Sequence, residues 1–177
     1  MAEERGGNPM RRPRIEKVTV NISVGKSGEP LQKAMQVLEQ VTGHKPCLRK
    51  ARKTVRDFQI QKGEPIACMV TLRGPDTEAF LKRVFETVSN RLPSSSFDGR
   101  GNFALGIKEH IELPGVRYDP RLGIFGMDVC VSMAKPGYHV GRRRRARSKV
   151  GARQILTDEE AQGFIAERFG VEVTEAS

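Results

Sequence analysis

Polar and apolar residues alternate along 17–24: Val18, Val20, Ile22 and Val24 fall on one side, and Lys17, Thr19, Asn21 and Ser23 on the other. A period of two marks a half-buried strand, predicted here over 15–24. Turn residues fill 25–29, and Pro30 suits the first position of a helix. Leu31, Ala34, Met35, Leu38 and Val41 then recur on one helical face, and Gly43 fits the end. Alternation returns over 66–73, with Ile66, Cys68, Val70 and Leu72 inward. A second helix is predicted after Gly74-Pro75. Asp76 and Glu78 sit in its first turn, where the helix dipole favours acids, and its stripe is Leu81, Val84, Phe85, Val88 and Leu92. The Ser- and Gly-rich loop PSSSFDGRGN (93–102) precedes two further strands. One carries Phe103, Leu105 and Ile107 on a single face; the other carries Phe125, Met127, Val129, Val131 and Met133. Thr157-Asp158-Glu159-Glu160 reads as a capping box opening a last helix, which buries Ala161, Phe164, Ile165 and Phe169 and stops at Gly170.

This order of elements predicts an α+β fold: a mainly antiparallel sheet with helices packed on one face and the other face open. The 177 residues suit a single domain (1–177), with a disordered N-terminus (1–9) and a basic arm (138–153). The open face would show Lys17, Thr19, Asn21, Ser23, Thr71 and Arg73. Such side chains can bond to sugar, phosphate or base edges. An ordinary wet sheet face has the same composition.

The net charge of +10 favours polyanionic partners. It is concentrated: 45–62 holds seven bases and one acid, and 142–153 holds seven bases and no acid, so the remaining residues sum to −3. One short basic run is usually a solvated surface. Two dense runs, one with four consecutive arginines, point to phosphate contact. The candidates are Lys45, Arg49, Lys50, Arg52, Lys53, Arg142, Arg143, Arg144, Arg145, Arg147 and Lys149. Between them, VRDFQIQKGEP (55–65) reads as an exposed loop or a plain hairpin turn, with Lys62-Gly63 as its turn signal.

Other chemistries find little support. No apolar run approaches the roughly 20 residues of a membrane span, and the first residues lack a signal-peptide core, so a cytoplasmic chain without membrane contact is expected. Cys47, Cys68 and Cys130 lie too far apart for a zinc site; Cys68 and Cys130 read as core or near-core residues. Gly25-Lys26-Ser27 is not a phosphate loop, because Val20 stands where that motif needs glycine. Gly99-Arg100-Gly101 leads into a strand rather than a helix, so it is no dinucleotide fingerprint. Glu109-His110 reads as a surface pair. An enzyme, a cofactor, a metal and a small-molecule substrate are all expected to be absent.

From Arg14 to about Val173 the sequence resembles the large-subunit ribosomal protein L-five family, in its archaeal and eukaryotic branch. The resemblance is carried by Arg14-Ile15-Glu16-Lys17-Val18 with Val20-Asn21, Thr42-Gly43-His44-Lys45-Pro46, Lys50-Ala51-Arg52-Lys53, Val70-Thr71-Leu72-Arg73-Gly74, the run from Ser96 to Phe103, and Gly106-Ile107-Lys108-Glu109-His110. Tyr118-Asp119-Pro120, the run from Gly123 to Asp128, and Pro136-Gly137-Tyr138 followed by the basic insert mark the branch. It implies a structural protein at the central protuberance of the large subunit. The implied partners are 5S rRNA, the large-subunit (23S-type) rRNA, P-site tRNA and neighbouring ribosomal proteins. Family positions for 5S rRNA map onto Asn21, His44, Phe58 and Thr71. The family usually has glutamine where this chain has His44, so the amide's paired donor and acceptor are lost there. For tRNA, the resemblance favours the 55–65 loop, with Arg56 and Lys62 as donors to phosphate and sugar. A free RNA chaperone or regulator with broad binding is the alternative, and selective 5S binding separates the two.

Overall fold

The computed structural model describes residues 8–174. In chain order the elements are β1 (Arg14–Ser23), α1 (Glu29–Thr42), β2 (Cys47–Lys50), β3 (Pro65–Leu72), α2 (Pro75–Thr87), β4 (Arg91–Pro93), β5 (Phe103–Ile107), β6 (Met127–Ala134), α3 (Asp158–Phe169) and β7 (Glu172–Thr174), with short 3-10 turns between them. The main sheet runs β2-β3-β1-β6-β5 and is antiparallel at every pairing. This is the expected α+β arrangement.

The alternation in β1 explains its central place. Val18, Val20 and Ile22 are at most 1% exposed and face the helices. Removing each such side chain from water contributes about 1.5–3 kcal/mol. Helix α1 packs mainly on β3, and α2 also reaches β1. Ala161 and Ile165 of α3 enter the same core. The Phe85 ring lies 6.2 Å from that of Phe103 and 5.2 Å from that of Phe169, so α2, β5 and α3 meet at one aromatic cluster.

Several boundaries differ from the sequence pattern for local reasons. Helix α1 begins one residue before Pro30, at Glu29. Helix α2 ends at Thr87 because Ser89 and Asn90 both take left-handed backbone (φ 55° and 56°). Leu92 is therefore buried from strand β4, which pairs in parallel with β7, and not from the helix. Strand β6 starts at Met127, since Phe125 spends its main chain elsewhere. Its N–H donates to Nδ1 of His110 (3.3 Å), and its carbonyl accepts the His110 N–H (3.0 Å). His110 is 2% exposed, so it is a buried staple and not half of a surface pair. Cys130 also corrects its reading: it faces away from the core and is exposed, while Cys68 is fully buried, its thiol pushed up to about 11 by that burial. The disorder expected over 1–9 lies outside the described residues for 1–7; Asn8 caps a 3-10 turn at Pro9–Arg11.

Candidate nucleic-acid interface

Strand register fixes which side chains share the face opposite the helices. Residues paired across an antiparallel sheet point the same way. One row reads Cys47, Met69, Asn21, Asp128, Gly106 from β2 to β5, and the next reads Thr71, Thr19, Cys130, Ala104. Lys17 and Ser132 follow at the end of the strands. Small and polar groups dominate, so the face can approach a flat or convex partner closely. Asn21 and Thr71 are diagonal neighbours on adjacent strands, about 7–8 Å apart by ordinary sheet geometry. The Asn21 amide donates to the Ser23 hydroxyl at 2.9 Å, which fixes its orientation. Asp128, directly opposite Asn21, is exposed. A carboxylate there repels phosphate and accepts from ribose 2′-hydroxyls or base amino groups, so this row suits reading more than gripping.

Basic grooves adjoin this face. One, of about 600 Å³, is lined by His44, Lys45, Arg49, Thr71 and Arg73, with Asp76. His44 is held there by Asp76, Nε2 to Oδ2 at 3.2 Å, so an RNA partner must compete with that carboxylate for the ring. The other groove, of about 760 Å³, lies where the end of β1 meets the arm, and includes Lys17, Arg100, Arg142, Arg147 and Lys149.

The 55–65 segment is a folded hairpin. Val55 and Ile60 exchange main-chain hydrogen bonds (2.9 and 3.1 Å) around a turn at 56–59, where Gln59 has φ 55°. The tip turn thus precedes Lys62-Gly63, and Gly63 (φ 90°) serves the hairpin's base. Glu64 anchors that base by accepting from the Ser27 hydroxyl (2.6 Å) and the Gln61 N–H (3.1 Å). Phe58 stands at the tip, 72% exposed, with Arg56 and Lys62 also exposed. It therefore belongs to the hairpin, whereas Asn21 and Thr71 belong to the sheet, although all three carry the same expectation.

The arm is folded back on the domain. The Gln154 amide donates to the carbonyls of Met10 (2.6 Å) and Pro136 (2.8 Å), and the Leu156 N–H donates to the Tyr138 hydroxyl (2.9 Å). Arg142 forms a two-armed ion pair with Glu16, whose carboxyl it holds below the usual carboxylate range. Arg143 donates to the Ala146 carbonyl (2.9 Å), where Ala146 takes positive φ. Arg144, Arg145, Arg147 and Lys149 are exposed. Lys50, Arg52 and Lys53 line the exposed approach to the hairpin.

The sequence pattern did not single out Glu16 or Arg100 for this surface. Glu16 is the extra residue of a β-bulge: Ile15 pairs with Met133 and Lys17 with Ser132. The bulge re-aims its side chain toward the arm, and the broken alternation Ile15-Glu16-Lys17-Val18 was the available signal. Among the described residues no cluster of three or more His, Cys, Asp or Glu is arranged to hold a metal ion, and no helix is long and apolar enough to cross a membrane.

Comparison with known proteins adds independent findings. Residues 8–61 match the family described as Ribosomal protein L5, and residues 65–167 match the C-terminus of the same ribosomal family. The large ribosomal subunit protein uL5 of Pyrobaculum aerophilum is 56% identical over 167 residues, covering 94% of this chain and 93% of its own length. That of Sulfurisphaera tokodaii is 49% identical over 176 residues, covering 99% of each. That of Aeropyrum pernix is 53% identical over 165 residues, covering 93% of this chain and 86% of its own length.

Proposed function

Because the chain belongs to the ribosomal protein L5 family, we propose that this structural, non-enzymatic protein of the large ribosomal subunit holds 5S rRNA on its open sheet face, contacts large-subunit rRNA, grips rRNA phosphates with its basic segments and reaches P-site tRNA with its hairpin. It acts in the cytoplasm as part of the ribosome, beside neighbouring ribosomal proteins.

The observation that carries the 5S reading is the placement of Asn21 and Thr71. Both are family positions for 5S rRNA, and they are neighbours on a face of small polar residues between basic grooves. Such a face combines directional hydrogen bonds at its centre with cations at its margins. The margins supply most of the affinity and the centre supplies the discrimination. The hairpin reading rests on a different argument. A hairpin with Arg56 and Phe58 at its tip and Lys62 toward its base, pinned there by Glu64, offers phosphate contacts that do not depend on sequence, as a site meeting every tRNA requires.

Binding of the purified chain to 5S rRNA and to an equally long unrelated structured RNA tests the function. A preference on the order of 10³-fold or more for 5S rRNA is expected, using the low end of specificity ratios at DNA sites as a guide. Equal affinity at moderate salt would replace the 5S reading with broad RNA binding.

A further inference from the structure

The groove where the end of β1 meets the arm has features that a merely solvated basic patch lacks. Arg100 sits at the tip of the 98–102 loop, and two carboxylates hold that loop rigid. Asp98 accepts from the main-chain N–H of Arg100 (2.8 Å) and Asn102 (3.1 Å) and from the Asn102 amide (2.8 Å). Asp158, the first residue of α3, accepts from the N–H of Gly99 (3.0 Å) and Gly101 (2.8 Å). Both acids are thus engaged within the fold, and the exposed guanidinium of Arg100 is what the loop presents outward. Across the groove, Glu16 holds the Arg142 guanidinium itself in a two-armed ion pair. A cation held on a rigid mount loses little conformational freedom on binding, which is how preorganisation raises affinity.

We infer that this groove is a phosphate-binding site, in which Arg100 and Lys17 act with Arg142, Arg147 and Lys149 to grip the backbone of the RNA strand that lies on the sheet face. This rests on the RNA-binding reading above. Five cations line the groove against one carboxylate, Glu16, and with Glu16 paired to Arg142 the groove keeps an excess of four positive charges. The ligand is therefore anionic. Arg100, Arg142, Arg147 and Lys149 are exposed, which suits a solvated phosphodiester chain and not an enclosed small anion. The groove is also continuous with the reading face. Lys17 lies four residues along β1 from Asn21, about 13 Å at strand rise, a small part of one turn of duplex nucleic acid (~34 Å in B-form DNA). One RNA helix can meet both.

The test uses the full chain with the double variant Lys17→Gln/Arg100→Gln, and Lys82→Gln, an exposed charge on α2, as a control. Affinity is measured against salt for 5S rRNA and for a generic RNA duplex. The expected result is a salt slope reduced by roughly 0.7–0.9 for each lost groove cation on both RNAs, an unchanged slope for Lys82→Gln, and an unchanged melting temperature. A groove variant whose slope matches the native chain on both RNAs, or a control that loses as much per charge, overturns the inference. Failure of the native chain to prefer 5S rRNA would remove the 5S reading alone, since the slope on the generic duplex still decides the groove.

Discussion

Glu16 and Arg142 lie 126 positions apart in the chain and meet through two hydrogen bonds, one at 2.9 Å. The β-bulge at Glu16 makes the contact, and the contact ties the basic arm to the sheet end. Replacing Glu16 with Ala should therefore loosen the arm without loosening the core. An ion pair with an exposed partner contributes about 1 kcal/mol or less, so the melting temperature should move little. Trypsin should cut within 142–149 several-fold faster. Cleavage at the native rate would show that the arm is held by Gln154 and Tyr138 alone.

Gly101 offers a sharper test of packing. Its backbone is left-handed (φ 74°), and an added Cβ would stand 2.6 Å from Leu156 Cδ2 and 3.2 Å from Ala161 Cβ. Strained backbone and overpacking each cost of order 1–3 kcal/mol. Gly101→Ala should lower stability by about 2–6 kcal/mol in chemical denaturation, the two costs taken together. A loss below about 0.5 kcal/mol, on the scale of an ordinary surface change, would mean that the loop and α3 can separate freely.

Stability should depend on pH through His110. Burial holds its imidazole below the ordinary value of 6.5, so the unfolded chain binds the proton more readily. The stabilisation is complete above about pH 6.5 and is lost as the pH falls through the folded value. Melting temperature should decline from about pH 7 toward about pH 5.5, before Glu16 and Glu160, whose carboxyls are held low by Arg142 and Lys135, begin to matter. His110→Asn keeps an acceptor near Nδ1 but cannot titrate, and its profile should be flatter over that window. Parallel profiles for the two proteins would exclude His110 as the cause.

The hairpin prediction concerns P-site tRNA. Arg56→Ala/Lys62→Ala leaves the Val55–Ile60 bonds and the Glu64 anchor in place, so fold and 5S affinity should persist. Ribosomes carrying this variant should release P-site tRNA several-fold faster. Unchanged dissociation rates would reduce the hairpin to a turn.

Much of this architecture was legible because period-two alternation is a direct readout of a one-sided sheet. Val18-Thr19-Val20-Asn21-Ile22 named both the core and the open face, and Thr157 with Glu160 announced α3, where both capping-box bonds are present. What was hidden depended on contacts distant in sequence. Nothing local says that Phe125 will bond to His110 and delay β6, or that Leu92 will leave the α2 stripe for a parallel pair with Val173. For Cys130, hydrophobicity pointed inward and register outward; its neighbours Val129 and Val131 are buried, so register wins and assigns it to the open face. Arg142 was visible as charge, but its partner at the bulge was not.

If the open sheet face reads 5S rRNA, Asn21 and Thr71 are the side chains that do so. Both side chains point away from the core, so Asn21→Ala and Thr71→Ala should barely alter thermal stability. Each should weaken 5S binding by about 1–3 kcal/mol, the cost of leaving one partner of an interface hydrogen bond unpaired. The measurement is the equilibrium affinity of each variant for 5S rRNA beside the native chain at one fixed salt concentration. Both variants should lose affinity for 5S rRNA, with affinity for an unrelated RNA unchanged. Native affinity for 5S rRNA in both variants would contradict that role of the open face.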